Sequence, residues 1–423
     1  MLASLPRDVL VHICLACDGE DGIWLALTLR LVCKSMLAKL AVAGPPPSPW
    51  PRLLAKVRSA ALVPLPPPSP SAAFGLILRL LAVRERMVFA LPPQRISNIE
   101  KSVPERVHAI VSLGADAFLV ATVDGAVLRV HDGRVLSTMQ TSLTYPRVAA
   151  VGREGRVVVG GRATHLEVHD ASRGIVCRLT MDLEPDQVCR DLAVSDGIVA
   201  GIFNSSQVAF WRLDADDVAT AEIAPAQVIA LGNGQPRVSC IICLDRTRGK
   251  AQFLLSATSV VILLVEAADG SFSSVATWRL PGARGRVTSM AAERISPTSW
   301  HVVVSFLFMS SSVLVVKGQN LSLLAMQELP EGAVTASRPG LLCIGGGGMG
   351  GGRPVNFGFT LVPHGVRKPA RRTGARVFSP NEPVFVPLPD YHHRVPTRPT
   401  ALAFGDTMLL IGDDAGRLLA AEF

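Results

Sequence analysis

The sequence predicts a mainly β chain, a series of repeated sheets that stack and close, preceded by a small all-α segment. Three observations predict it. From about residue 84 to the end, units of about 35–50 residues recur, each an apolar strand, a Gly or Asp turn and another apolar strand. Hydrophobic residues make up 49% of the 423-residue chain and charged residues 18%, enough apolar surface for a large core. The clearest helical periodicity is confined to residues 1–43. With five Trp, two Tyr and fifteen Phe, the core must be filled mostly by aliphatic side chains.

Within the first 43 residues, Ser4 can cap a helix, Pro6 suits its first turn and Asp8 favours the positive end of the helix dipole. Val9, Leu10, Ile13, Cys14 and Cys17 then fall on one face. Asp18 to Gly22 forms a polar turn. A second helical stretch carries Leu25, Leu29, Val32, Cys33, Met36, Leu37 and Leu40 as a wide apolar stripe, ended by Gly44 and the prolines behind it. So few residues barely form a core alone, so the stripe calls for a partner.

Two blocks here carry a resemblance. Leu5-Pro6-Arg7-Asp8-Val9-Leu10-Val11-His12-Ile13 resembles the opening of an F-box, and Leu29-Arg30-Leu31-Val32-Cys33-Lys34 resembles its later half. The resemblance implies a helical module that docks on the Skp-type adaptor of a cullin-RING ubiquitin ligase. The implied adaptor-binding residues are Leu5, Pro6, Val9, Leu10, Ile13, Leu31, Val32 and Cys33. An N-terminal helical hairpin packed on its own neighbouring domain is the structural alternative.

Residues 44–83 are predicted to be a Pro-rich linker with short helical stretches. Ten prolines fall in residues 44–73, in PPPSPWP and PLPPPSP, and such clusters stiffen a chain toward polyproline II. Leu53, Leu54, Val57, Ala60 and Ala61 between them suit one or two helical turns.

The repeats of residues 84–423 begin in turn at Val107, Pro146, Gln187, Arg237, Arg286, Ala333 and Arg398. The first contains FLVATVDGAVLRVHD, where Asp124-Gly125 suits a tight hairpin and alternating residues suit strands with a buried face. Aligning the hairpins superposes His131-Asp132 on His169-Asp170 and Trp211-Arg212, at the end of a third strand, where WD repeats carry Trp-Asp. The region therefore resembles a WD-repeat β-propeller. No unit can hide its apolar face alone, and closing the ring removes the exposed edges. The count predicts seven blades, with six or eight possible. The last unit has three strands, so its fourth is expected from Arg86–Leu91, pairing the two ends of the region.

Among the polar features, the formal net charge is +8, and Arg367, Lys368, Arg371, Arg372 and Arg376 concentrate much of the excess. This cluster is a candidate contact for an acidic partner, against the simpler reading of a solvated loop. It lacks aromatic residues for base stacking, so nucleic acid is not expected. The eight cysteines are scattered in mostly apolar surroundings, the pattern of buried thiols in a reducing compartment. The pairs Cys14/Cys17 and Cys240/Cys243 lack converging zinc ligands, and in the strand SCIIC two thiols three residues apart point to opposite faces. The glycines of 345–352 lack the Gly-Lys-Ser/Thr of a phosphate loop and read as a flexible loop, as does His392-His393 among its prolines. The apolar run Val302–Val316 is too short for a bilayer and reads as two strands around Ser310–Ser312.

These features predict a non-catalytic adaptor with no cofactor and no metal, cytoplasmic or nuclear and not membrane-bound. The expected function is substrate receptor of a Skp-cullin-F-box ubiquitin ligase, the propeller holding a target protein. The alternatives are a propeller interaction scaffold unrelated to ubiquitin and a propeller enzyme with a site on its channel.

Overall fold

The structure, a computed structural model, describes residues 50–57, 69–88, 92–99, 105–114, 116–151, 156–170, 174–181, 188–195, 197–203 and 207–213. It also describes residues 221–230, 238–245, 251–257, 260–279, 287–296, 298–306, 309–327, 334–338, 341–347, 357–363, 384–388 and 399–423.

Two helices open the described chain, α1 (Trp50–Val57) and α2 (Pro70–Val88). Prolines enter both because they stand in the first turn, where no intrahelical N–H bond is lost. Ser69 caps α2, its Oγ accepting from the N–H of Ala72 at 3.3 Å. Trp50 meets Phe74 edge to face at 4.7 Å, and Trp50, Leu53, Ala73 and Ile77 are fully buried. Val83 of α2 joins the core formed by Ala336, Leu402, Phe404 and Phe423, and Arg79 approaches Glu422 at 3.9 Å. Where the prolines suggest a linker, the described residues thus include a helical pair anchored on the sheets.

The described strands form seven sheets. The first contains β2 (Val107–Gly114), β3 (Ala117–Thr122), β4 (Ala126–His131) and β5 (Arg134–Gln140). The second contains β6 (Arg147–Val151), β7 (Arg156–Gly160), β8 (His165–Asp170) and β9 (Gly174–Thr180). The third contains β10 (Cys189–Ser195), β11 (Ile198–Phe203), β12 (Gln207–Arg212) and β14 (Gln227–Ala230). The intervening β13 (Ala221–Ile223) instead pairs parallel with β9, covering the outer edge of the second sheet. The fourth contains β15 (Val238–Asp245), β16 (Gln252–Ala257), β17 (Val260–Glu266) and β18 (Phe272–Arg279). The fifth contains β19 (Val287–Ser296), β20 (Ser299–Phe306), β21 (Met309–Lys317) and β22 (Asn320–Gln327). The sixth contains β23 (Val334–Arg338), β24 (Leu341–Gly347), β25 (Phe357–Pro363) and β26 (Val384–Pro387). The seventh contains β27 (Pro399–Phe404), β28 (Met408–Asp413), β29 (Leu418–Glu422) and, beyond them, β1 (Arg95–Asn98).

The first strand of each sheet contacts the first strand of the next, and β27 returns to β2. This is a β-propeller architecture. Second strands such as β3, β11 and β28 are buried at every position, while outer strands such as β5 and β18 keep one side in water.

Four expectations need correction. Arg86–Val88 is helix rather than strand, and the strand that pairs with β29 is Arg95–Asn98, with Ile96 opposite Ala421. An apolar run of this length fits a helix face as well as a strand, and packing through Val83 decides it. The sequence pattern ends the third unit at Ala224 and the sixth at Asn381, but the third reaches on to β14 and the sixth to β26. Gly345–Gly347 is strand, paired with Phe357–Phe359. The run Val302–Val316 does fall in two strands, but β20 ends at Phe306 and β21 begins at Met309, so the serines lie inside β21 rather than between the strands.

Candidate ligand site at the inner-strand rim

The seven inner strands start at one end of the ring. Across neighbouring sheets, the Oγ1 hydroxyl of Thr400, second in β27, donates to the carbonyl of Val107, first in β2, at 2.6 Å. The backbone N–H of Ile241 in β15 donates to the Asp191 carboxylate of β10 at 2.9 Å.

In five of these strands the register slips by one residue at the second position, leaving His108, Arg190, Ser239, Thr288 and Thr400 as the extra residue of a bulge. A bulge re-aims its side chain and twists the strand. The preceding residue is a buried plug in all five: Val107, Cys189, Val238, Val287 and Pro399. Val107 presses on Gly412 of the seventh sheet and Cys189 on Gly160 of the second.

What the bulge residue does differs between sheets. Ser239 bonds Ser256 at 3.0 Å within its own sheet, and Thr400 bonds the carbonyls of Val107 and Gly412. The Thr400 hydroxyl thus closes the seam between the seventh and first sheets, while that of Ser239 is satisfied inside the fourth. The first three sheets carry long basic or aromatic side chains instead: His108, Arg147 (first in β6) and Arg190, with Arg106 just ahead of β2. Arg106 and Arg190 are exposed and Arg147 half-buried. Tyr145, held at φ 52° in the segment leading to β6, is 48% exposed and meets the His108 ring edge to face at 5.9 Å. The backbone N–H of Arg162 donates to the Thr144 carbonyl at 2.9 Å, which sets a further exposed arginine beside this segment.

Electrostatics mark the cluster as cationic. Burial, then the charges of Arg147 and Arg106, push the His108 imidazole down to about 3, so it is neutral near pH 7. Arg106, Arg147, Arg162 and Arg190 form no ion pair among the described residues. Among the described residues the nearby acids are few. Asp191 accepts from Ile241; burial raises its carboxyl and Arg147 opposes that rise. Asp124 is bonded to Thr122 in its hairpin turn, and Glu105 stands next to Arg106.

A second polar cluster lies beneath this rim, where Glu167 is wholly buried between Ser142 and His169. Burial alone would raise its carboxyl, but bonds from His169 and Ser142 and the charges of His169 and His165 hold it down at about 2. A serine nucleophile needs its hydroxyl on an imidazole that can take the proton. Here the Ser142 hydroxyl donates to the carboxylate instead, so the arrangement fixes the seam between the first and second sheets.

The residues singled out for adaptor binding, Leu5, Pro6, Val9, Leu10, Ile13, Leu31, Val32 and Cys33, lie outside the described residues, as do Arg367, Lys368, Arg371, Arg372 and Arg376. Cys240 and Cys243 pack into different cores, on opposite faces of β15. Among the described residues no group of His, Cys, Asp and Glu could hold a metal ion, and no described helix is long and apolar enough to cross a membrane. His131, His169-Asp170 and Trp211-Arg212 each end the third strand of their sheets. The signal for the rim arginines in the sequence is a basic residue near the start of every unit but the sixth. A scan against protein-family models finds no match to the chain, and a search of the curated proteins finds none.

Proposed function

We propose that the chain is an interaction scaffold that serves as a substrate receptor of a Skp-cullin-F-box ubiquitin ligase. On this reading each of the seven sheets is one blade, the N-terminal segment docks on the adaptor and the propeller rim holds the target. The observation that carries the scaffold part is the set of rim arginines that form no ion pair among the described residues, on a ring where Ser239 and Thr400 spend their hydroxyls on hydrogen bonds. The ligase part rests on the two F-box-like blocks, with Leu5, Pro6, Leu10, Ile13, Leu31 and Val32 at the adaptor. No catalytic residue is assigned; the chain would supply proximity to chemistry carried by other subunits, in cytoplasm or nucleus. The anchoring of α2 through Val83 supports a fixed geometry between the propeller and what precedes it.

Replacing Leu10 and Ile13 by Asp in the full chain tests the ligase part, because unpaired charges on an apolar docking face cost several kcal/mol. The expected result is loss of co-purifying Skp-type adaptor with an unchanged melting temperature. Undiminished adaptor recovery by the folded double variant would remove it and leave an interaction scaffold unrelated to ubiquitin.

The same anchoring of α2 favours one second reading, in which the N-terminal residues are part of the propeller's own packing rather than a docking module. Adaptor binding by the full chain separates the two.

A further inference from the structure

We infer that the rim of the first three sheets is a binding site for a carboxylate-rich peptide segment, with Arg106, Arg147 and Arg190 as its cations and Tyr145 as its apolar platform. The inference rests on the reading of the propeller as a binding scaffold and does not need the adaptor. It starts from the departure within the repeat. At one structural position, the fourth and seventh sheets place Ser239 and Thr400, whose hydroxyls are taken up by Ser256 of the same sheet and by the Val107 carbonyl across the seam. The first and third place His108 and Arg190 there, and the second opens its inner strand with Arg147. Arg106, Arg147 and Arg190 close no ion pair among the described residues, so their guanidinium groups keep donor capacity at the rim.

The distribution of the charges selects the ligand. Arg106 precedes the first inner strand, Arg147 opens the second and Arg190 sits in the third, so the cations form a row across three strands. Arg147 stands between the others, since its charge acts both on His108 and on Asp191. A single oxyanion is matched by donors converging on one point, whereas a row of guanidinium forks matches successive acidic side chains of an extended peptide. His108 is neutral near pH 7, so it adds an apolar edge against Tyr145 instead of a charge that titrates. The half-exposed Tyr145 ring gives such a peptide a flat surface beside its charges. In the sequence the pattern continues as Arg237-Val238, Arg286-Val287 and Arg398-Pro399; those arginines lie outside the described residues, and the inference stands on the described ones.

The test is fluorescence anisotropy on the full chain with three labelled ten-residue peptides: glutamate-rich, its glutamine counterpart, and a glutamine peptide bearing one phosphoserine. The glutamate peptide should bind, weaken with added salt, and lose about ten-fold or more affinity to the double variant Arg106→Glu/Arg190→Glu. Both positions are exposed, and an unchanged melt verifies the fold. Arg134→Glu, on the outer strand β5, should leave binding unchanged. Equal affinity for glutamate and glutamine peptides, or full binding by the double variant, would overturn the site. Binding of the phosphoserine peptide alone would overturn the carboxylate assignment while leaving the scaffold reading intact. Adaptor recovery is read separately in each variant, so failure of the ligase reading does not bear on these outcomes.

Discussion

Asp116, in the turn between β2 and β3, accepts hydrogen bonds from both the backbone N–H and the Oγ1 hydroxyl of Thr407, at 2.8 and 2.7 Å. Thr407 stands in the turn between β27 and β28, so one carboxylate ties the first sheet to the last across 291 residues of chain. The N–H of Met408 adds a longer bond at 3.3 Å. Burial raises the Asp116 carboxyl, the Thr407 bonds oppose the rise, and Asp406 and Asp132 add to it.

Asp116→Ala should lose all three bonds and strand a buried N–H, a cost of about 1–3 kcal/mol. Asp116 also sits at φ 56°, where an alanine adds roughly 1–2 kcal/mol but asparagine is tolerated. Asp116→Asn should therefore be much milder. The sign with pH follows from the raised carboxyl: the group contributes most below its unfolded value of 3.8, and that contribution is lost as pH rises through the folded value. In urea unfolding, the parent should gain on the Asn variant as pH falls from 7 toward 4. A constant difference would contradict burial as the cause.

The seam between the same two sheets makes a second expectation. A Cβ on Gly412 would lie 2.3 Å from Cγ1 and 2.6 Å from Cβ of Val107, which is itself fully buried. Gly412→Ala should cost about 1–3 kcal/mol by overpacking. Val107→Ala alone should cost a similar amount through a cavity, yet the double variant should recover part of the loss because the new methyl fills the space vacated. A strictly additive double-mutant cycle by denaturant unfolding would show that the two residues do not share the seam.

Much of this architecture was legible in the sequence because strand alternation and hairpin turns are local. The unit starting at Val107 and the Asp124-Gly125 hairpin both match the sheets, and Gly125 adopts φ 93° as such a turn requires. What failed was decided by distant partners. Arg86–Val88 continues α2 because Val83, one turn earlier, buries against sheets encoded more than 250 residues later. β13 leaves its own unit to pair with β9, a choice no local pattern encodes. The candidate site was not legible for a related reason: Arg106, Arg147 and Arg190 are far apart in sequence, and only the ring sets their strands side by side.

Ring closure through β1 yields a third expectation. Ile99 donates its N–H to the carbonyl of Leu418. Since antiparallel pairs alternate, Ser97 makes the corresponding bond opposite Ala420, while the N–H of Asn98 points away from β29. Ser97→Pro should remove a ladder bond and loosen the closing strand, by about 1–3 kcal/mol, and Asn98→Pro should cost less. Hydrogen exchange should report the difference as faster exchange along β29 in the Ser97 variant. Equal exchange in both would mean that β1 does not hold the ring shut.

Acid should open the seam between the first and second sheets through Glu167. Its carboxyl is held at about 2 against an ordinary value of 4.5 by the bonds from His169 and Ser142 and the charges of His169 and His165, which outweigh the opposing effect of burial. A carboxyl depressed in the fold contributes stability that is fully present above its unfolded value. That contribution is lost as pH falls through the folded value. The window is therefore from about pH 4.5 down to about pH 2. Glu167→Gln keeps the shape but not the charge, and with Glu167 at 0% exposure the His169 ring has no water to replace it. At pH 7 the Gln variant should lose about 1–3 kcal/mol, the usual cost of weakening a buried charged hydrogen bond. Its melting temperature should then fall less steeply than the parent's between pH 4.5 and 2, because the group that titrates there is gone. Parallel acid profiles for the two proteins would assign the acid sensitivity to other carboxylates and leave Glu167 as packing alone.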